Sequence, residues 1–111
     1  MNLIIGGFGE EKEAYAKEKY PEKEIWTDIH LYIKEECREG KTKEEIIEKI
    51  ALRISKNPDI VVISDEVGNG VVPMDKEDRL WRETTGRVLT YLAGKANSVE
   101  RIVCGIPMKI K

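Results

Sequence analysis

The chain has few of the residues that mark several familiar chemistries. Its 111 residues include two cysteines, Cys37 and Cys104, and one histidine, His30. That leaves no Cys/His cluster for a zinc site, and cysteines so far apart read as reduced, with Cys104 structural at the end of a strand. An excess of charge of one sign is also missing: 19 Lys and Arg stand against 21 Asp and Glu, interspersed, for a formal net charge of -2. Such a chain carries no basic footprint, so no nucleic-acid partner is expected. Long apolar runs are absent as well. Leu3 to Ile5 has no charged region ahead of it and is far too short for a signal peptide or a membrane span, so no membrane partner and a cytoplasmic location are expected. No internal repeat or low-complexity linker divides the chain, and a single α/β domain over residues 1–111 is expected.

What is present centres on Asp59 to Arg87. Ile60 to Ser64 is an apolar or small run between Pro58 and the pair Asp65-Glu66, the pattern of a fully buried strand. Gly68 and Gly70 follow in a loop ended by Pro73. Asp75, with Asp78 three residues on, is then the expected N-cap of a helix whose stripe of Leu80, Trp81, Thr84, Val88, Leu89 and Leu92 runs to about Ala96. In an open α/β sheet the loop outside a strand's carboxyl end is where ligands bind. Carboxylates there, such as Asp65 and Glu66, coordinate magnesium or receive a proton. Arg79 and Arg82 share one helix face and suit phosphate, because a guanidinium fork binds bidentately. Salt bridges to Glu77, Asp78 and Glu83 are the alternative for the arginines, Arg87 included.

The rest of the chain repeats the alternation. Residues 2–6 form a strand, followed by a glycine loop with Gly6, Gly7 and Gly9 and a helix from about Glu10 to Lys19. Strand, glycine loop and helix is the setting in which backbone N–H groups and a lysine hold phosphates. A strand near Glu24 to Thr27 leads to a helix from about Asp28 to Arg38. Gly40 ends that helix, and Thr42 with Glu45 forms a capping box for a helix to about Lys56. Val99 to Cys104 is a strand, Gly105-Ile106-Pro107 a loop, and Met108 to Ile110 a last strand. Strand-helix alternation argues for a mostly parallel, three-layer α/β sheet flanked by helices. Asp28 is read as a helix N-cap or a magnesium-linked carboxylate, and His30 as a buried structural residue or a nucleophile.

The order E-V-G-N-G-V-V-P from Glu66, Arg79, W-R-E-T-T-G-R from Trp81, and V-C-G-I-P-M-K-I-K from Val103 resembles the bifunctional adenosylcobinamide kinase / adenosylcobinamide-phosphate guanylyltransferase family of cobalamin biosynthesis. The resemblance implies a P-loop nucleotide hydrolase-like fold, here truncated. It also implies GTP (or ATP) with Mg2+ as cofactors, nucleotide and corrinoid as small-molecule partners, and a homo-oligomer. Laid on the family's G-G-x-x-x-G-K-S loop, Gly6, Gly7 and Lys12 match, Glu11 stands where the last glycine should be, and Glu13 replaces the magnesium-binding hydroxyl. The resemblance thus implies Lys12 and Glu66 as catalytic residues, with His30 as the one candidate for the family's guanylylated histidine. Gly6, Gly7, Gly9, Gly68, Gly70, Arg79 and Arg82 would bind the nucleotide, and Asp65 and Asp28 the metal. Two alignments stand: one equates Asp28 with the acid ending the family's third strand and deletes that histidine, the other brings His30 near its place. Asp65 where the family has Asn, and Val88, Leu89 and Thr90 where it has a polar Asn-Gln pair, are further departures. The alternative function is a non-catalytic binding or regulatory relative. Glu11→Gly with Glu13→Ser is expected to tighten GTP binding measured by calorimetry, because it restores the close backbone approach and removes two carboxylates from the phosphate site.

Overall fold

The computed structural model describes residues 1–67 and 75–111; Gly68, Gly70 and Pro73 of the expected glycine loop lie outside the described residues. Five strands form one sheet in the order β2-β3-β1-β4-β5, made of β1 (Asn2–Gly6), β2 (Ile25–Trp26), β3 (Val61–Asp65), β4 (Ser98–Val103) and β5 (Ile106–Lys109). The first four are parallel and only β5 runs antiparallel, against β4. The helices are α1 (Lys12–Lys19), α2 (Ile29–Arg38), α3 (Lys43–Lys56) and α4 (Lys76–Lys95). The expected α/β, P-loop-like architecture is therefore observed. Among the described residues, no helix is long and apolar enough to cross a membrane.

The layers follow from strand alternation. Leu3, Val62 and Val99 turn one face of the sheet to Ile29, Ile33, Ile46, Ile50, Val88 and Leu92 of α2, α3 and α4. Ile4, Val61, Ile63 and Ile102 turn the other face to α1, where Ala16 is the one buried apolar side chain of the helix. Local capping behaves as the sequence predicts: Glu45 N–H donates to Thr42 Oγ1 at 3.2 Å while Thr42 N–H donates to Glu45 at 3.1 Å, and Asp78 N–H donates to Asp75 Oδ1 at 2.7 Å.

Three boundaries differ from expectation. Helix α1 starts at Lys12 rather than Glu10, because Glu10 is used elsewhere, as described below. The last turn is a two-residue hairpin, Cys104-Gly105, with φ of 51° and 74°, which joins Val103 directly to Ile106. Pro107 is thus inside an edge strand, where its missing N–H is tolerated. Cys104 is accordingly exposed, and the structural role expected for it does not hold.

With so little apolar surface, α1 is anchored by a polar contact. Glu100 of β4 is only 4% exposed and accepts hydrogen bonds from Tyr15, from Lys19 at 2.8 Å and from Tyr20 at 3.3 Å. Burial alone would push its carboxyl up, but the bonds from Lys19 and Tyr15 outweigh burial and hold it below the usual carboxylate range. A lowered folded value means that this stabilisation is complete above about pH 4.5 and is lost as the pH falls further. Glu100→Ala is expected to lower stability by about 1–3 kcal/mol, since it leaves two half-buried tyrosine hydroxyls and Lys19 without their acceptor. Urea unfolding at pH 7 and pH 4 checks it: the gap between wild type and variant should narrow at the lower pH.

Candidate functional site

The sheet's topology marks one place for a ligand. The chain leaves β1 for α1 on one face and leaves the adjacent β3 for α4 on the other, so a crevice opens at their carboxyl ends, the topological switch point. Gly6, Asp65 and Ile102 sit level across β1, β3 and β4 at that edge. Gly6 is required there, because a Cβ would come within 3.0 Å of the Ile102 carbonyl oxygen. Above the strand ends lies an open cleft of about 800 Å³, and beside it a depression of about 230 Å³ lined by Lys12, Glu13, Asp28 and Asp65 among others.

Asp65 is the hub. Lys12 Nζ lies 2.8 Å from Asp65 Oδ1 and donates to the Gly7 carbonyl at 2.9 Å, which folds the lysine, 5% exposed, back onto its own loop. His30 grips Asp65 twice. Its Nδ1 accepts the Asp65 backbone N–H at 3.1 Å, and its Nε2 lies 3.3 Å from Asp65 Oδ2. A backbone N–H can only donate, so Nδ1 is the unprotonated nitrogen and the neutral ring carries its proton on Nε2, close to the carboxylate. Burial pushes the imidazole below its ordinary 6.5, against the pull of Asp65 and Asp28, so it is the neutral form that is held. In this arrangement neither ring nitrogen presents a free lone pair to a nucleotide or a metal. The carbonyl of His30 in turn accepts Trp81 Nε1–H at 2.8 Å, which ties α2 to α4.

Asp28 occupies the N-cap position of α2 but does not cap it: its side chain makes no capping bond, and its backbone is left-handed at φ 57°, ψ 43°. Holding a non-glycine residue there costs energy, and such strain collects at functional sites. A ligand atom from each of Asp28, His30 and Asp65 lies within 4.8 Å of the others. With Nε2 protonated, the usable donors are the two carboxylates. That oxygen set suits Mg2+, which takes one or two carboxylates and completes its shell with water and phosphate.

The other expected residues divide. Glu66 lines the cleft and pairs with Arg101 at 3.0 Å. Arg82 lines it too, bonded to Asp78 at 2.9 Å and to the Val67 carbonyl, whereas Arg79 is exposed and outside the lining. Arg87 pairs with Glu83 at 3.7 Å on the exposed surface. Gly7 lines the cleft and Gly9 the smaller depression. Sequence reasoning missed Arg101, whose only signal was its place at the carboxyl end of β4. It also missed Glu10. That carboxylate accepts the Cys104 N–H at 3.1 Å and the Gly105 N–H at 2.8 Å, which fastens the glycine loop to the hairpin instead of favouring the start of α1.

The family model for cobinamide kinase / cobinamide phosphate guanyltransferase matches residues 22–110. The chain belongs to this family. It is similar to the bifunctional adenosylcobalamin biosynthesis protein CobU of Escherichia coli (strain K12), 44% identical over 52 residues, and to the protein of the same name of Salmonella typhimurium, 42% identical over 52 residues. In both cases the match covers 47% of this chain but only 29% of the relative. The family match begins after β1, the glycine loop and α1, so the divergent loop lies outside it and Asp28, His30, Asp65, Glu66, Arg82 and Arg101 lie within.

The His30 geometry makes a direct prediction. Long-range ¹H–¹⁵N spectra at pH 7 should show Nε2 as the protonated nitrogen and Nδ1 as the bare one. A folded imidazole value below 6.5 means that stability is fully present above about pH 6.5 and is lost as the pH falls through the lowered value. His30→Ala should therefore remove that part of the acid sensitivity, and should cost about 1–3 kcal/mol at pH 8 by leaving the Asp65 N–H without an acceptor.

Proposed function

We propose that the chain binds a nucleoside triphosphate, GTP or ATP, with Mg2+ at the β1/β3 switch point and transfers a phosphoryl group to a corrinoid, as an adenosylcobinamide kinase / adenosylcobinamide-phosphate guanylyltransferase-like protein. The observation that carries this reading is the convergence of Lys12, Asp28 and Asp65 at the carboxyl ends of β1 and β3, one cation and two carboxylates beside an 800 Å³ cleft. Membership of the family and the printed names of the relatives support it.

Mg2+ held by Asp28 and Asp65 would neutralise charge on the phosphates. Lys12 opens α1, and a rotation of its long side chain from Asp65 toward the crevice brings Nζ to a phosphate oxygen. Arg82 and Arg101 line the cleft with guanidinium groups, and Glu66 in the same wall would take the proton of the acceptor oxygen. In the transfer the bond from the γ-phosphorus to the nucleoside diphosphate breaks, a bond to the acceptor oxygen forms, and the proton passes to Glu66. His30 acts in this scheme by fixing Asp65, and no guanylyl group is routed through it. The exposed Ile106, Met108 and Ile110 of the last hairpin suit burial between copies in a homo-oligomer.

Calorimetric titration with GTP, with and without Mg2+ and then with adenosylcobinamide present, tests the reading. Saturable, magnesium-dependent binding near micromolar levels is expected, about -8 kcal/mol. Lys12→Ala should weaken it ~10- to 100-fold through loss of a charge-assisted bond. No binding in any titration would sink the proposal and favour the non-catalytic relative.

A further inference from the structure

Phe8 is the one phenylalanine of the chain and is 96% exposed. An isolated exposed apolar side chain is ordinary on a protein surface. The position of this one is not. It lies in the glycine loop between Gly7 and Gly9, and added Cβ atoms at those glycines would meet nothing within 4 Å, so the loop tip stands clear of the fold. Phe8 borders both the 800 Å³ cleft and the 230 Å³ depression. The depression is dominated by charge, with Lys12, Glu13, Asp28 and Asp65 around it. The cleft has apolar walls: Leu31, 51% exposed, and Trp81 on the helix side, and Ile102 and Val103 on the strand side. Charged groups and apolar walls thus meet at one aromatic ring that has no packing role in the core.

We infer that Phe8 is a specificity-determining residue that stacks on the nucleobase of a nucleotide whose phosphates reach the carboxylate-rich depression with Mg2+ between them. The inference rests on the nucleotide and corrinoid reading above and names the residue that discriminates ring-bearing ligands from bare polyphosphate. The flat π-face is that of the nucleobase; a corrin is puckered, carries axial ligands and side chains over its faces, and adenosylcobinamide has no anionic end, so it serves as the control. Stacking needs only a π-face, so Phe8 favours flat ligands without reading a hydrogen-bond pattern.

The test titrates wild type, Phe8→Ala and Phe8→Trp with three probes in the presence of Mg2+: GTP, inorganic triphosphate and adenosylcobinamide. Unchanged thermal unfolding should confirm that substitution at this exposed position leaves the fold intact. Wild type should bind GTP more tightly than triphosphate, with Phe8→Ala about tenfold weaker on GTP, unchanged on triphosphate, and restored by Phe8→Trp. Phe8→Ala binding GTP as wild type does, or wild type binding GTP no better than triphosphate, overturns the role of Phe8 and leaves the nucleotide reading standing. Wild type binding none of the three overturns both.

Discussion

The contact on which the rest of the site depends is the one between Asp65 and its two partners. A carboxylate at the end of the buried strand β3 needs compensation, and Lys12 from the neighbouring loop and His30 from α2 provide it at 2.8 and 3.3 Å. These bonds join three segments far apart in the chain, the glycine loop, the start of α2 and the carboxyl end of β3. Trp81 extends the tie to α4 through the His30 carbonyl. The crevice is therefore held by its own polar groups.

This explains how the loop tolerates its acidic residues. Glu10 clasps the hairpin N–H groups of Cys104 and Gly105, two successive residues at positive φ whose donors point the same way. Glu13 stays in the first turn of α1, where a carboxylate favours the helix dipole. The helix itself is held from the opposite face by Glu100 and the side chains of Tyr15, Lys19 and Tyr20. Polar anchoring at both ends replaces the apolar stripe that α1 lacks.

The single histidine shows how chemistry can be set by orientation. A family resemblance makes His30 the natural candidate for a covalent intermediate, yet Nδ1 accepts the Asp65 N–H and Nε2 carries the ring proton beside the Asp65 carboxylate, so neither nitrogen offers a free lone pair. The result is a neutral imidazole that holds the Asp65 backbone and stands against its carboxylate, which fixes the direction in which the carboxylate points. Asp28 shows the reverse: a residue that reads as a helix cap makes no capping bond and stands instead beside Asp65.

Short-range features were legible in the sequence because their partners are three or four residues apart. The Thr42-Glu45 and Asp75-Asp78 caps, the buried β3 run, the α/β alternation and the gathering of Asp65 and Glu66 at a strand end all follow from local pattern. The tertiary structure alone decided which groups meet across 35 or more residues: His30 with Asp65, Arg101 with Glu66, Glu100 with α1, and Glu10 with the last hairpin. It also decided that Cys104 is a turn residue at positive φ and not part of the core. The reason is physical. Propensity and periodicity act through the backbone over one or two turns, whereas the protonated nitrogen of a histidine or the partner of a carboxylate is set by whatever the packed sheet brings within 3 to 4 Å.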